Sequence, residues 1–224
     1  MTVSVLIPFK SDGGQRDRIW SWMQKRWLRT LADIELIVCD DGGKPGEPFN
    51  EGKAWNRCAE LATGDILVVG ESEVAFDAIQ IADAIHDVRD RGGWRIASAY
   101  HQLDASATER ILSSEPMSAI VVDTSEITRS FIMESVSPPL IVPRVAWDYV
   151  GGMDERYVGW GWIDKAFAAA MNTLYRPFER FPGSVFHLAH PRGSDRDCNP
   201  ELTARYLAAE GDVEAMRAII AERS

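Results

Sequence analysis

Apolar runs alternate with polar, glycine-rich gaps through the first half of the chain. VSVLIPF is a short β-rich run, and Pro8 ends it as a first strand. The polar loop KSDGGQRD follows. Residues 16–29 place Ile19, Trp20, Met23, Trp27 and Leu28 at roughly helical spacing. IELIVCD is a second strand that runs into Asp40 and Asp41, and DGGKPGEP reads as a loop. Asn50 is a good N-cap, because its side chain can accept from free N–H groups of a first turn. A helix over 51–63 follows, with Gly64 as its stop. GDILVVG is a third strand, and residues 77–90 read as helix. WRIASAY and then SAIVVD read as further strands, and the stretch from Ser135 to Pro143 reads as irregular. The tail is a helix pair: Asn199 and Pro200 start one helix, and Asp212 recaps after Gly211. Val213, Met216, Ile219 and Ile220 form the apolar stripe of the last helix.

Alternation of helices with strands this apolar implies a sheet covered on both faces. Ligands of such sheets bind beyond the carboxyl ends of the strands. That rule places Pro8 to Lys10, Asp40 and Asp41, and Glu71 to Glu73 on one rim. The length of 224 residues suits one α/β domain with a small appendage, expected as residues 1–200 and a helical extension at 201–224 packed on the same domain.

Composition narrows the function classes. With 24 Lys and Arg against 34 Asp and Glu, the net charge is −10, which repels phosphate backbones and anionic lipids. No basic stripe points to nucleic-acid binding. No stretch is apolar and long enough for a membrane anchor, and MTVSVLIPFK lacks the basic leader of a secretory signal, so cytoplasmic residence is the expectation. Cys39, Cys58 and Cys198 lie far apart without metal-ligand spacing, and the first two sit in apolar runs that suit reduced core thiols.

Three stretches bear chemistry. In GDILVVGESEV a buried strand ends in Glu71 and Glu73, which suit either a solvated turn or a hard cation bound through oxygen, with substrate phosphates as its other ligands. In FHLAHP, His187 and His190 suit either core packing or a borderline divalent metal. In GGMDERYVGWGWIDKAF, Trp160 and Trp162 are either core anchors or flat walls for a sugar ring. Asp164 beside them is either the N-cap of KAFAAAMN or a desolvated general base.

In order along residues 3–200, these motifs resemble the GT-A glycosyltransferases, nucleotide-diphospho-sugar transferases with a Rossmann-like, central mixed and mainly parallel sheet flanked by helices. The resemblance is to the group of β-1,4-galactosyltransferases, polypeptide N-acetylgalactosaminyltransferases and chondroitin synthases. VSVLIPFK is similar to the strand ending in Pro-Phe-Arg. FNEGKAWNRCAELATGDILVVGESEV is similar to the segment from FNRAK to the Asp-x-Asp strand. GGMDERYVGWGWIDKAF is similar to GGFDERFxGWGxEDDDF, and HPRGSDRDCNP to the stretch from a metal-binding His to Asn-Pro.

The resemblance implies a nucleotide site at Pro8, Phe9, Lys10, Asp40 or Asp41, Phe49, Lys53 and Glu71. It implies Glu73 and His190 as metal ligands, with His187 where galactosyltransferases use a methionine. Trp160 and Trp162 would face the acceptor and Asp164 would be the catalytic base. The implied activity is inverting transfer from a nucleotide-sugar donor, a UDP-sugar, to a sugar or other hydroxyl acceptor, with Mn²⁺ or Mg²⁺. Three departures stand out: Glu71-Ser72-Glu73 for Asp-x-Asp, Ile163-Asp164-Lys165 for Glu-Asp-Asp, and Glu51 for the arginine of FNRAK. They leave a second reading, a GT-A nucleotide- or carbohydrate-binding protein with a degraded catalytic site.

Overall fold

The computed structural model describes residues 2–31, 33–44, 46–159, 161–191 and 199–223. In chain order the elements are β1 (Val3–Pro8), α1 (Gln15–Thr30), β2 (Ile34–Cys39), α2 (Glu51–Leu61), β3 (Ile66–Val69), β4 (Val74–Phe76), α3 (Ala78–Arg91), β5 (Arg95–Leu103) and α4 (Ala105–Leu112). They continue as β6 (Ile127–Ile132), β7 (Leu140–Pro143), α5 (Arg144–Val150), α6 (Ile163–Leu174), β8 (Glu179–His187), α7 (Pro200–Ala208) and α8 (Val213–Ala221).

The strands form one sheet in the order β2-β1-β3-β7-β5-β8-β4, with β6 paired to β5. Successive side chains of a strand point to opposite faces, so each central strand feeds two cores. Val3, Val5 and Ile7 of β1 and Ile66 and Val68 of β3 pack with Ile19, Met23 and Trp27 of α1 and with α3. Leu6, Leu67 and Val69 point the other way, onto α2, α5 and α6. The sheet is therefore covered on both faces, as the uninterrupted apolar runs require. Cys39 and Cys58 are buried and free. No helix among the described residues is long and apolar enough to cross a membrane.

Parallel register sets the rim. Pro8 pairs with Cys39, and Leu6 with Val69, so the carboxyl ends of β1, β2 and β3 share one edge. The sheet is mixed, as expected, but less parallel than the helix–strand alternation suggests. Beyond β2-β1-β3, parallel pairing joins β5 to β8, while β3–β7, β5–β7, β5–β6 and β4–β8 are antiparallel.

Several expected elements differ. SAIVVD is not a strand, although Ile120 and Val122 pack against the core. Its apolar run suits a strand, but the edge of β5 is taken by β6, whose residues ITRSFI are half polar and mostly exposed. The end of the stretch expected to be irregular, Leu140–Pro143, is β7, buried between β3 and β5. α2 ends at Leu61, before Gly64. A Cβ at Gly64 would sit 2.6 Å from Ser4 N, so that glycine is a seat for β1 rather than a helix stop. Leu28 and Val213, expected on apolar stripes, are exposed (55% and 43%).

α7 and α8 pack onto α6 and share its core through Leu202, Tyr206, Met216 and Ile219. A polar lock joins them to the loop after α5. Asp154, 2% exposed, accepts from Arg156 Nη2 at 2.7 Å and Tyr206 Oη at 2.8 Å. Arg223 Nε donates to the same Tyr206 hydroxyl at 2.9 Å. Burial pushes the Asp154 carboxyl up, but the Arg156 guanidinium and backbone N–H and the Tyr206 hydroxyl outweigh it, so its pKa is lowered. A carboxylate with a depressed folded pKa stabilises above its ordinary value and loses that contribution as pH falls through the folded one. Asp154→Asn is expected to cost about 3 kcal/mol at pH 7, as for a buried pair that loses one partner. Urea denaturation should show the gap between wild type and variant closing as pH drops below the ordinary value of 3.8. An equal gap at pH 7 and pH 3 would rule out this electrostatic origin.

Candidate metal centre

β3 leaves the core at Val69, and Gly70 lets the chain turn close over β1, where a Cβ would lie 2.8 Å from Ile7 Cδ1. Glu71 to Glu73 cross to β4. β4 is only three residues long, yet its pairing positions the site: Val74 lies opposite His187, and Leu188 N donates to Glu73 O at 2.9 Å. Ala189 is then held at both ends, its N donating to Thr108 Oγ1 and its O accepting from Gln15 Nε2, each at 2.8 Å. His190 follows directly.

The result is a convergent set of donors. One ligand atom each from Glu73, His187 and His190 lie within 4.8 Å of one another. His190 Nε2 is 3.3 Å from Glu73 Oε1, and the two imidazole centroids are 5.1 Å apart. His190 Nδ1 is 2.9 Å from Pro191 O. With a metal bound, that carbonyl would suit an Nδ1–H donor and leave the Nε2 lone pair for the ion. Two imidazoles and a carboxylate, buried or half-buried, fit a divalent transition ion.

Three further carboxyl groups surround Glu73. Burial alone would raise the Glu73 carboxyl, but the hydrogen bond with His190 and the Arg16 guanidinium at 2.8 Å hold it well below the usual carboxylate range. Glu71 goes the other way, raised by burial and by the charges of Glu51, Glu73 and Asp164. Glu51 is pushed up to about 8 by burial and by Glu73, with Arg16 opposing. Asp164 is raised by burial, against hydrogen bonds from Lys165 N and Ser137 Oγ. Four carboxylates thus interact across one pocket that also holds Arg16.

Glu51 enters because α2 starts against α6. A Cβ at Gly52 would meet Ile163 Cδ1 at 2.5 Å, so glycine permits the approach. Asn50 caps α2 through Lys53 N and donates to Glu155 O, and its backbone bridges Gly159. Asn56 Nδ2 donates to Met153 O and Glu155 Oε1. The loop 151–159 is therefore stitched to the first turns of α2. Asp164 lies one residue inside α6, whose N-cap is Trp162, so Asp164 is not the cap. Its Oδ1 accepts from Lys165 N at 2.8 Å and its Oδ2 from Ser137 Oγ at 3.1 Å.

The donor-side candidates line the rim. Phe9 N donates to Cys39 O, and its ring sits 5.8 Å from Trp20. Lys10 Nζ is 3.6 Å from Asp41 Oδ1. Asp41 is buried and accepts from Asn50 N and Gly43 N, whereas Asp40 is exposed and pairs with Arg57. Phe49 is half-buried and its carbonyl accepts from Gly159 N; Lys53 is exposed. Trp162 is 42% exposed, held at φ +69°, with Lys165 Nζ 4.6 Å from its ring centroid. Trp160, expected at the acceptor side, lies outside the described residues. Sequence reasoning missed Arg16 and Ser137 and treated Glu51 only as a lost arginine. A signal for Arg16 was present, since the helix after a first strand begins on the carboxyl rim; Ser137, in irregular chain, had none.

No known family's sequence profile matches the chain, and no curated protein matches it in sequence. Solved structures do. The chain is similar to the catalytic domain of Drosophila β1,4-galactosyltransferase 7 in complex with xylobiose, at 14% identity over 92% of this chain and 80% of that one, TM-score 0.59. A mutant of that Drosophila enzyme was crystallised with manganese, UDP-Gal and xylobiose. S. aureus TarS matches at 14% identity over 100% and 70%, TM-score 0.57. Glucosyl-3-phosphoglycerate synthase from Mycobacterium tuberculosis, in complex with Mn²⁺, UDP-glucose and phosphoglyceric acid, matches at 14% over 94% and 79%, TM-score 0.54. At identity this low the structural likeness establishes the fold alone: the chain has the GT-A fold of these glycosyltransferases.

Alanine at Glu73, His187 or His190 is expected to weaken Mn²⁺ binding by about tenfold or more, at least the scale of losing a supporting group around a metal. Calorimetric titration in the presence of UDP checks each residue. A variant that keeps wild-type affinity removes its residue from the centre.

Proposed function

We propose that a chain with this fold and this donor set is a metal-dependent glycosyltransferase that moves a sugar from a nucleotide sugar, best a UDP-sugar, to a hydroxyl acceptor with inversion. The observation that carries the proposal is the convergence of Glu73, His187 and His190 within 4.8 Å on the rim of the sheet. Similar solved structures hold Mn²⁺ with UDP-sugars. Two imidazoles favour Mn²⁺ over Mg²⁺, which prefers oxygen ligands. Bound there, the ion would neutralise the diphosphate leaving group.

The chain's own residues supply the rest. Pro8, Phe9, Lys10, Asp40 or Asp41, Phe49 and Lys53 form the proposed nucleotide side, on the edge where β1 and β2 end. Asp164 takes the proton of the attacking acceptor hydroxyl. Its raised pKa brings it nearer the working pH, where a general base is most effective. Ser137 and the Lys165 N–H fix the orientation of its carboxylate. Trp162 offers an exposed ring to the acceptor, with Trp160 as its proposed companion. Glu71 and Glu51, both pushed toward the protonated form, are poor nucleophiles. Single displacement, and hence inversion, follows.

Asp164→Asn is expected to leave donor affinity near wild type and to cut turnover by about 10²-fold or more, the scale of a lost general base. Calorimetry with UDP and Mn²⁺, alongside assays of donor consumption with and without sugar acceptors, separates the two effects. Binding of UDP without turnover of any donor by the wild type would make the chain a binding protein instead.

A further inference from the structure

Arg16 stands in the second position of α1, and its Nη2 donates to Glu73 Oε1 at 2.8 Å. That oxygen is the one His190 Nε2 approaches at 3.3 Å, and Glu73 Oε2 already accepts from Ser72 Oγ. The carboxylate proposed to bind the metal is therefore neutralised by a cation belonging to the protein. Arg16 Nε is buried with no hydrogen-bond partner among the described residues. A buried guanidinium N–H left unpaired is costly, and its presence calls for an acceptor that the described residues do not supply.

A divalent ion and a guanidinium cannot share Glu73 Oε1 cheaply, because like charges a few ångströms apart repel, and a half-buried site screens them less than water does. A nucleotide diphosphate offers what both need: oxygens for the ion, and a planar pair of acceptors that a guanidinium fork matches. We infer that Arg16 is a resident counter-ion which opposes metal loading of Glu73 and transfers to the donor diphosphate when metal and nucleotide bind together. Free metal then binds weakly, and nucleotide and metal each tighten the other by the same factor. This inference rests on the metal-centre reading above, and it gives Arg16 a binding role that none of the rim motifs carries.

The test measures free Mn²⁺ by electron paramagnetic resonance against wild type, Arg16→Gln and Arg16→Lys, each with and without UDP, with circular dichroism confirming the fold. Without nucleotide, Arg16→Gln should bind Mn²⁺ about tenfold tighter than wild type, a Coulombic gain discounted for partial solvent exposure. UDP should then tighten its Mn²⁺ binding about tenfold less than in wild type. Arg16→Lys keeps the charge and should stay near wild type without nucleotide. If folded Arg16→Gln binds Mn²⁺ alone no better than wild type, while wild type binds it with UDP, the role of Arg16 is wrong and the metal centre stands. If neither protein takes up Mn²⁺ even with UDP, the metal centre itself falls, and this inference with it.

Discussion

The antiparallel pairing of β4 with β8 is the constraint on which the site depends. Val74 opposite His187 brings a turn after the third strand against the end of the last one, more than a hundred residues away. A slip of one residue would turn every side chain of β4 to the other face and carry Glu73 away from the imidazoles. The register is defended from behind. Val74, Ala75 and Phe76 are all buried, Phe76 sits 3.9 Å from Trp27 by ring centroids, and Arg26 donates to Phe76 O. His187 thus stands on the packed sheet, and Glu73 and His190 in short segments pinned to its ends, which holds a metal geometry more tightly than free loop.

Charge is the second constraint. The chain as a whole carries −10, and Glu51, Glu71, Glu73 and Asp164 gather at one site, where burial, with mutual repulsion at Glu51 and Glu71, pushes all but Glu73 toward the protonated form. A nucleotide diphosphate would be repelled by the charge that remains unless cations were already in place or arrived with it. Arg16 pairs with Glu73, Lys10 with Asp41, and Lys165 lies against the Trp162 ring beside Asp164. Glu51 stands where the resemblance expects an arginine, and Arg16 from a different helix is proposed to take over part of that work.

The proposed acceptor side is organised from a distance. The loop 151–159 is sewn to α2 through Asn50 and Asn56 and to the tail helices through Asp154, Tyr206 and Arg223. α7 and α8 consequently do more than extend the core, because they hold the segment that leads into Trp162 and Asp164.

The sequence by itself determined the three-stranded parallel rim, because buried strands with both faces apolar leave unmistakable runs, and it exposed Glu73, His187, His190 and Asp164 as chemistry at the ends of such runs. Motif order added the fold and the roles proposed for these residues. Tertiary structure alone decided the pairing. SAIVVD is as apolar as a strand and is not one, while ITRSFI is half polar and is, because a strand exists only where an edge is free to receive it. β7 and β8 were hidden for the same reason: short or proline-bearing segments acquire strand geometry from their neighbours. Arg16 and Glu51 join the site through contacts between side chains far apart in the chain, and no local pattern of residues encodes which distant carboxylate an arginine will meet.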